Sequence, residues 1–178
     1  MLKAFAKLAL FFVVTAIVCI VVGLATPEWL SKPGHYQGLW DYCFYLTHTG
    51  GKKTCMKLEK RSDFEGWIQA VRALVILSVV TSLFDLILLI FYMKRDDGRT
   101  NLNRIRAAIV VCILSGALCF SAVIVYAVQK HNGHFNKGYN FSWSFILTSI
   151  GGGVISLVPI VLLLEIRKSR ILGSYESI

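Results

Sequence analysis

Acidic residues and prolines are scarce in this sequence, which has ten Asp and Glu residues and three prolines among 178 residues. Charged residues of both signs make up 16% of the chain and hydrophobic residues 56%. The mean hydropathy of +0.63 is too high for an ordinary soluble domain of this size. No Ser, Cys or acid pair forms a recognisable nucleophilic or acid–base motif. The sequence therefore predicts neither an enzyme nor a bound cofactor.

The excess of positive charge lies in particular parts of the chain. The formal net charge of +9 would suit a nucleic-acid-binding protein. However, the basic residues occupy the short segments between long apolar runs, where lipid headgroups and water surround them. We therefore predict that membrane lipid is a partner of this protein and that nucleic acid is not.

Four apolar runs are long enough to cross a bilayer. An α-helix rises about 1.5 Å per residue, so a hydrocarbon core of about 30 Å needs roughly 20 residues. Backbone groups in lipid must be hydrogen-bonded within the segment, which favours helices. The first run is longer than the apolar core of most signal peptides, so we expect it to be retained and not cleaved. The runs predict membrane helices at about residues 8–25, 67–93, 107–128 and 142–164.

The segments between these helices indicate which side each one faces. The termini and the segment 94–106 carry ten Lys and Arg residues against eight on the other side, in a shorter length of chain, which favours the cytoplasm. Cys43, Cys55 and the glycosylation sequon at Asn140 fall on the opposite, oxidising side. Asn140 is a candidate for glycosylation, although its closeness to the fourth helix would hinder the enzyme. We predict one multi-pass plasma-membrane domain, residues 1–178, with cytoplasmic termini, outer loops 26–66 and 129–141, an inner loop 94–106 and a tail 165–178.

The first outer loop contains a predicted β-hairpin. Residues 39–46 are rich in aromatic and aliphatic side chains that suit a strand, residues 49–52 supply turn chemistry, and residues 54–58 form a returning strand. Cys43 and Cys55 would face each other across this hairpin, and a disulfide there would stabilise by roughly 3 kcal/mol. Two free thiols are the alternative.

The same loop resembles a known family. Trp29, then Gly38-Leu39-Trp40, then Cys43 and Cys55 match the signature of the claudin and peripheral myelin protein superfamily. Residues 25–29 and 69–77 resemble the family's first helix exit and second helix start. Residues 141–147 are similar to the fourth helix of the lens fibre and epithelial membrane proteins. The chain ends Glu176-Ser177-Ile178 and not Tyr-Val, and it lacks juxtamembrane cysteines, which favours the lens fibre and epithelial branch over tight-junction claudins.

The resemblance implies an all-α transmembrane protein, a left-handed four-helix bundle with a small extracellular β-sheet in the first outer loop. It also implies that the signature residues hold this sheet on the bundle, namely Trp29, Gly38, Leu39, Trp40, Cys43, Cys55 and Arg72. A charge near a helix end costs less than one at mid-bilayer. We therefore expect Arg72 to donate hydrogen bonds to the outer loop.

Three other features leave alternatives open. Asp85, an acid well inside the second helix, is a candidate intramembrane polar site or a polar packing residue near the interface. His131 and His134 supply only half of a zinc site, so no metal is predicted. The C-terminal residues 174–178 end in Ile, so they would suit a PDZ scaffold or act as a free tail.

These features favour a structural or adhesive tetraspan that organises cell–cell contacts through its disulfide-linked loop. Tyr42, Phe44 and Tyr45 would supply contact area, and the loop lysines would favour an acidic partner. Like or related tetraspan proteins in the same or the opposing membrane are the predicted partners. A paracellular pore or barrier component of tight junctions, and an auxiliary subunit of a channel or receptor, are the alternatives.

Overall fold

The computed structural model describes residues 4–46, 52–58, 65–94, 98–132 and 138–175. Four helices make up most of this part of the chain, and each is long and apolar enough to cross a membrane. Their lengths are 22, 30, 35 and 33 residues. The helices are α1 (Ala4–Ala25), α2 (Glu65–Lys94), α3 (Gly98–Asn132) and α4 (Trp143–Tyr175).

The helices extend beyond the apolar runs that reveal them. The helix α3 begins at Gly98, inside the segment predicted as an inner loop, and α4 continues to Tyr175, through most of the predicted tail. Glu165, the first residue of that tail, is only 2% exposed, so at least its start packs against the bundle. Hydropathy locates the part of a helix that lies in hydrocarbon, but a helix also continues through the more polar headgroup region.

The helices form a closed ring in which α1 packs against α4 and α2, and α3 packs against α2 and α4. Small residues of α4 permit its close approach. A Cβ on Gly151 would lie 2.7 Å from Ile20 Cγ1 of α1, and one on Gly152 would lie 2.9 Å from Cys119 Sγ of α3. Glycine is required at such approaches because packing, and not water exclusion, holds helices together in lipid.

Two separate clusters of buried hydrophobic residues fill the bundle. The sheet-end cluster is rich in large side chains and consists of Ile20, Trp29, Leu30, Leu39, Leu58, Ile68, Val71, Val75, Cys119, Ala122 and Tyr126. The far-end cluster contains many small ones and consists of Ala6, Ala9, Val13, Ala16, Leu89, Tyr92, Ile105, Ala108, Cys112, Ile155, Val158, Leu162 and Ile166.

A five-stranded antiparallel sheet lies at one end of the bundle. Its order is β4-β3-β2-β1-β5, and a Pro33-Gly34 turn, with Gly34 at φ 80°, joins β1 to β2. The strands are β1 (Leu30–Lys32), β2 (His35–Gln37), β3 (Asp41–Leu46), β4 (Lys52–Lys57) and β5 (Asn140–Phe141).

The sheet confirms the predicted fold class and corrects its extent. The predicted hairpin corresponds to β3 and β4, but β5 comes from the segment between α3 and α4 and pairs with β1. The sheet therefore joins the α1–α2 and α3–α4 connections instead of belonging to the first alone. A two-stranded hairpin is only marginally stable in water. Here β3 also pairs with β2, so the hairpin is part of a five-stranded sheet.

Candidate functional site

The predicted disulfide is present. Cys43 of β3 and Cys55 of β4 lie directly opposite each other in the strand register, with a Cα–Cα distance of 4.1 Å and a closed S–S bond. Cys43 is fully buried, whereas Cys55 is exposed. The disulfide therefore fixes β4, the strand at the edge of the sheet, to β3, where Cys43 is buried.

Trp29 joins the sheet to three helices. It immediately precedes β1 and is fully buried, and its indole Nε1 donates a 2.7 Å hydrogen bond to the carbonyl of Gly23 in α1. Its ring contacts Tyr126 of α3 at 4.7 Å and Phe145 of α4 at 5.7 Å between centroids. A buried indole needs a partner for its N–H, and here the partner belongs to the helix from which the loop emerges.

Arg72 and Trp40 form a second joint between the sheet and the bundle. Arg72 of α2 is 3% exposed, and its Nε donates a 2.8 Å hydrogen bond to the carbonyl of Leu39. Its guanidinium carbon lies 4.7 Å from the centre of the Trp40 ring, a cation–π arrangement. Trp40 Nε1 in turn donates to the carbonyl of Leu24 in α1 at 2.9 Å. Leu39 itself is fully buried.

Gly38 packs closely against the backbone at the exit of α1. A Cβ there would collide with Cα of Pro27 and would lie 2.9 Å from its carbonyl carbon and 3.0 Å from the Thr26 oxygen. These are backbone atoms that cannot swing aside. The Gly38 N–H also donates to the Asp41 carbonyl at 2.9 Å. The structure thus brings the signature residues into one anchoring region between the sheet and the bundle.

The hairpin presents a mixed aromatic and basic surface. Tyr45 and Met56 are 43% and 53% exposed, and Lys53 and Lys57 are exposed. Of the three aromatic residues predicted to supply contact area, only Tyr45 is exposed. Phe44 is half-buried, and the half-buried Tyr42 hydroxyl bonds His35 Nδ1 at 2.8 Å. Tyr42 and Phe44 share one face of β3, and Tyr45 points to the other face.

Two polar positions singled out from the sequence have quite different surroundings. Asn140 is exposed in β5, where it pairs with Ser31, and its glycosylation stays a prediction. Asp85 is fully buried, and its Oδ2 accepts a 2.8 Å hydrogen bond from the thiol of Cys112 in α3. It therefore does not lie at a water-exposed interface. Asp85 lies in the last third of α2, far from the sheet-end anchors.

The remaining candidate positions are the two loop histidines and the C-terminal residues. His131 is exposed at the end of α3, whereas His134 and residues 176–178 lie outside the described residues. Within the described ranges, no three His, Cys, Asp or Glu side chains converge as a metal site would require.

Several joining contacts carry no signal in the sequence. Glu28 accepts a hydrogen bond from Trp143 Nε1, and Thr26 Oγ1 donates to Ser144 Oγ at 2.8 Å, so the start of α4 is tied to the exit of α1. Lys130 lies 3.7 Å above the Phe141 ring. Each pair depends on the positions of segments distant in the chain, and no local pattern marks its members.

Four membrane-length helices, with an antiparallel sheet clasped by one disulfide and bound to their ends, define a class of tetraspan membrane proteins. Within that class the chain belongs to the PMP-22/EMP/MP20/Claudin family, whose model matches residues 4–162.

Curated relatives agree with this assignment. Claudin-19 of Homo sapiens, of Mus musculus and of Rattus norvegicus are each 26% identical to the chain over 132 residues. Each alignment covers 66% of this chain and 58% of the relative. The chain thus spans well under two thirds of the length of these relatives. The family is one of structural and junctional membrane proteins.

Proposed function

We propose that this protein is a structural, adhesive tetraspan of the plasma membrane that organises cell–cell contacts through its sheet. The observation that carries the proposal is the way the sheet is mounted. Trp29 and Arg72 fix its inner side to the bundle, and the disulfide fixes its outermost strand. Tyr45 and Met56 meanwhile remain exposed on the hairpin. A rigid, partly apolar surface pays little conformational entropy on binding.

A like or related tetraspan protein is the partner that we propose. Among the strands that the structure describes, β4 ends the sheet and pairs with β3. An end strand offers unpaired backbone groups to a neighbour. The exposed Lys53 and Lys57 flank this edge and favour a partner with acidic groups there. A PDZ scaffold at the C-terminus is a further proposed partner, resting on the sequence alone.

The orientation that we propose places the sheet outside the cell and both termini in the cytoplasm. Four spans return the chain to the side from which it started. The two segments that form the sheet share one end of the bundle with the disulfide, which is stable only in an oxidising compartment. The denser Lys and Arg content of the other side agrees with this orientation.

Localisation in confluent epithelial cells tests the proposal. The tagged wild-type chain should concentrate at contacts between two expressing cells, and the double variant Cys43→Ala/Cys55→Ala should lose this enrichment. Cys19→Ala is the matched control because Cys19 is a free, half-buried cysteine of α1, and it should behave as wild type. Surface labelling of each variant separates a loss of contact enrichment from a failure to reach the plasma membrane.

A second variant tests the surface itself. Lys53→Glu/Lys57→Glu reverses two exposed charges and leaves the anchors and the disulfide intact, so it should reach the surface normally and concentrate less at contacts. Uniform distribution of the wild type over free and contacting membrane would contradict the adhesive role. Transepithelial resistance and ion permeability of the same cells test the pore alternative, and crosslinking with mass spectrometry tests the auxiliary-subunit alternative.

A further inference from the structure

A line of polar side chains runs between α2 and α3 in the interior of the bundle. We call it the α2–α3 seam, and it consists of Ser78, Ser82, Asp85, Cys112 and Ser115. The spacings of three and four residues place the members on the facing sides of the two helices. All five are fully buried. In the sequence these residues lie among aliphatic neighbours, and their alignment depends on how the two helices pack.

Each seam hydroxyl lies within hydrogen-bonding distance of a backbone carbonyl. Ser82 donates to the Ser78 carbonyl at 2.8 Å, Ser115 donates to the same carbonyl at 2.9 Å, and Ser78 donates to the Ser115 carbonyl at 3.0 Å. A hydroxyl has one hydrogen and two acceptor lone pairs. The Ser82 and Ser115 hydroxyl oxygens are 2.7 Å apart, so either can donate to the other. Three hydroxyls supply three hydrogens and six lone pairs, so acceptors outnumber donors in the seam.

Asp85 lies one helical turn from this point with an unsatisfied oxygen. Its Oδ2 accepts the Cys112 thiol hydrogen, while its Oδ1 is buried and has no hydrogen-bond partner. Three residues of helix separate Asp85 from Ser82, a rise of about 4.5 Å. The same spacing separates Cys112 from Ser115. Asp85 and Cys112 therefore form one level of the seam, and Ser82 and Ser115 form the next level, about 4.5 Å away along the helices.

No basic side chain of the described residues donates a hydrogen bond to Asp85. Arg104 of α3 is half-buried and its Nη1 is buried without a partner, but it lies eight residues, about 12 Å, along α3 from Cys112. Arg72 is the one basic residue among the buried polar residues of the described ranges. It lies thirteen residues along α2, roughly 20 Å away, and is bonded to Leu39. Lys94, Arg106 and Lys7 are exposed. The α1 and α4 residues that share the far-end cluster with Cys112 are hydrophobic, such as Val13 and Val158. A buried carboxylate needs a compensating positive group.

We propose that the α2–α3 seam binds one monovalent cation of the size and hardness of Na⁺. Asp85 Oδ1 is its charged ligand, and the hydroxyl oxygens of Ser82 and Ser115 are its neutral ligands. Oxygen ligands select hard cations. A single carboxylate balances one positive charge, whereas a divalent ion would leave uncompensated charge within the bilayer. The bound ion bridges α2 and α3 and stabilises their packing.

Thermal unfolding of the purified full-length protein in detergent tests this site. The melting temperature is measured at constant ionic strength while choline chloride is replaced by NaCl. The wild type should become more stable as Na⁺ increases and then reach a plateau, because a ligand that binds only the folded state stabilises it by mass action. Asp85→Asn should abolish the response to Na⁺, and Ser115→Ala should raise the half-saturating concentration by about tenfold.

Glu165→Gln is the matched control. Glu165 is 2% exposed and also has a buried oxygen without a partner, but it lies on α4, away from the seam. This variant should keep the wild-type response to Na⁺. Sodium NMR line width of the wild type gives a direct measure of binding that does not depend on the folding of any variant, and an excess of K⁺ should reverse the broadening only weakly.

Three results would overturn the proposal. Equal melting temperatures of the wild type in Na⁺ and choline, without line broadening, would mean that a proton alone serves the carboxylate. A response to Na⁺ that survives in Asp85→Asn would place the ion elsewhere. A response abolished by Glu165→Gln and unchanged by Ser115→Ala would assign it to α4.

Discussion

The two ends of the bundle are held together by different kinds of side chain. The sheet-end cluster is built around the rings of Trp29 and Tyr126, whose centroids are 4.7 Å apart. The far-end cluster uses alanines on α1, such as Ala6 and Ala9, against aliphatic side chains. An end that anchors a polar sheet needs large side chains with hydrogen-bonding tips. An end that only joins helices in lipid needs close backbone approach instead.

The largest expected effect breaks this comparison at the sheet end. Trp29→Ala removes a fully buried ring, its contacts with Tyr126 and Phe145, and the bond to Gly23. We expect a loss of about 3–5 kcal/mol in the free energy of unfolding, measured by titration with a denaturing detergent. Val13→Ala, a fully buried truncation in the far-end cluster, is the control and should cost less than half as much. Equal costs would mean that the two ends do not differ in this way.

The disulfide comes next and should act on one end only. Cys43→Ala/Cys55→Ala should destabilise the sheet by roughly 3 kcal/mol in the chain-entropy model. Because the bond joins β3 to β4 and does not touch the helices, the change should appear as faster proteolysis between residues 41 and 57, at an unchanged rate of cleavage elsewhere. Reduction of the wild-type protein should reproduce the result. Faster cleavage throughout the bundle would show that the sheet also stabilises the far end.

At the sheet end, the hairpin and its disulfide are predictable from the sequence, but the three short strands are not. The hairpin and the disulfide follow from adjacent signals, namely strand-forming residues, a Gly-rich turn and two cysteines. The strands β1, β2 and β5 have three, three and two residues, too few for any periodicity to be visible. The family signature marks Gly38 and Arg72, and only the structure shows their atomic partners, the Pro27 backbone and the Leu39 carbonyl.

At the far end, the helices are predictable from the sequence, whereas the polar contacts between them are not. Its helices follow directly from hydropathy, since each is long and apolar. The burial of Glu165 and the alignment of Ser82 with Ser115 do not. A polar residue in an apolar run can face lipid, a loop or another helix, and only the rotation of each helix decides among these. That rotation depends on contacts across the whole bundle, which a single sequence does not display.

Arg72 tests whether the second joint of the sheet depends on geometry or on charge alone. Arg72→Lys keeps the charge but loses the planar group that bonds the Leu39 carbonyl and lies over Trp40. We expect a loss of about 1–2 kcal/mol in the free energy of unfolding and a weaker quenching of Trp40 fluorescence. Lys57→Arg, a change at an exposed site, is the reverse control and should be neutral. A stability equal to that of the wild type would show that charge suffices.

The smallest effect concerns the far end and sharpens the comparison from that side. Ser115→Ala removes the hydroxyl that donates to Ser78 and contacts Ser82. Hydrogen bonds between membrane helices average about 0.6 kcal/mol and reach roughly 2 kcal/mol, so we expect a loss within that range. Ser149→Ala, whose hydroxyl bonds only the Phe145 carbonyl of its own helix, should cost less. The measurement is made without Na⁺, so that any contribution from a bound ion is absent. If Ser115→Ala then costs as much as Trp29→Ala, polar contacts and not close packing would dominate the far end.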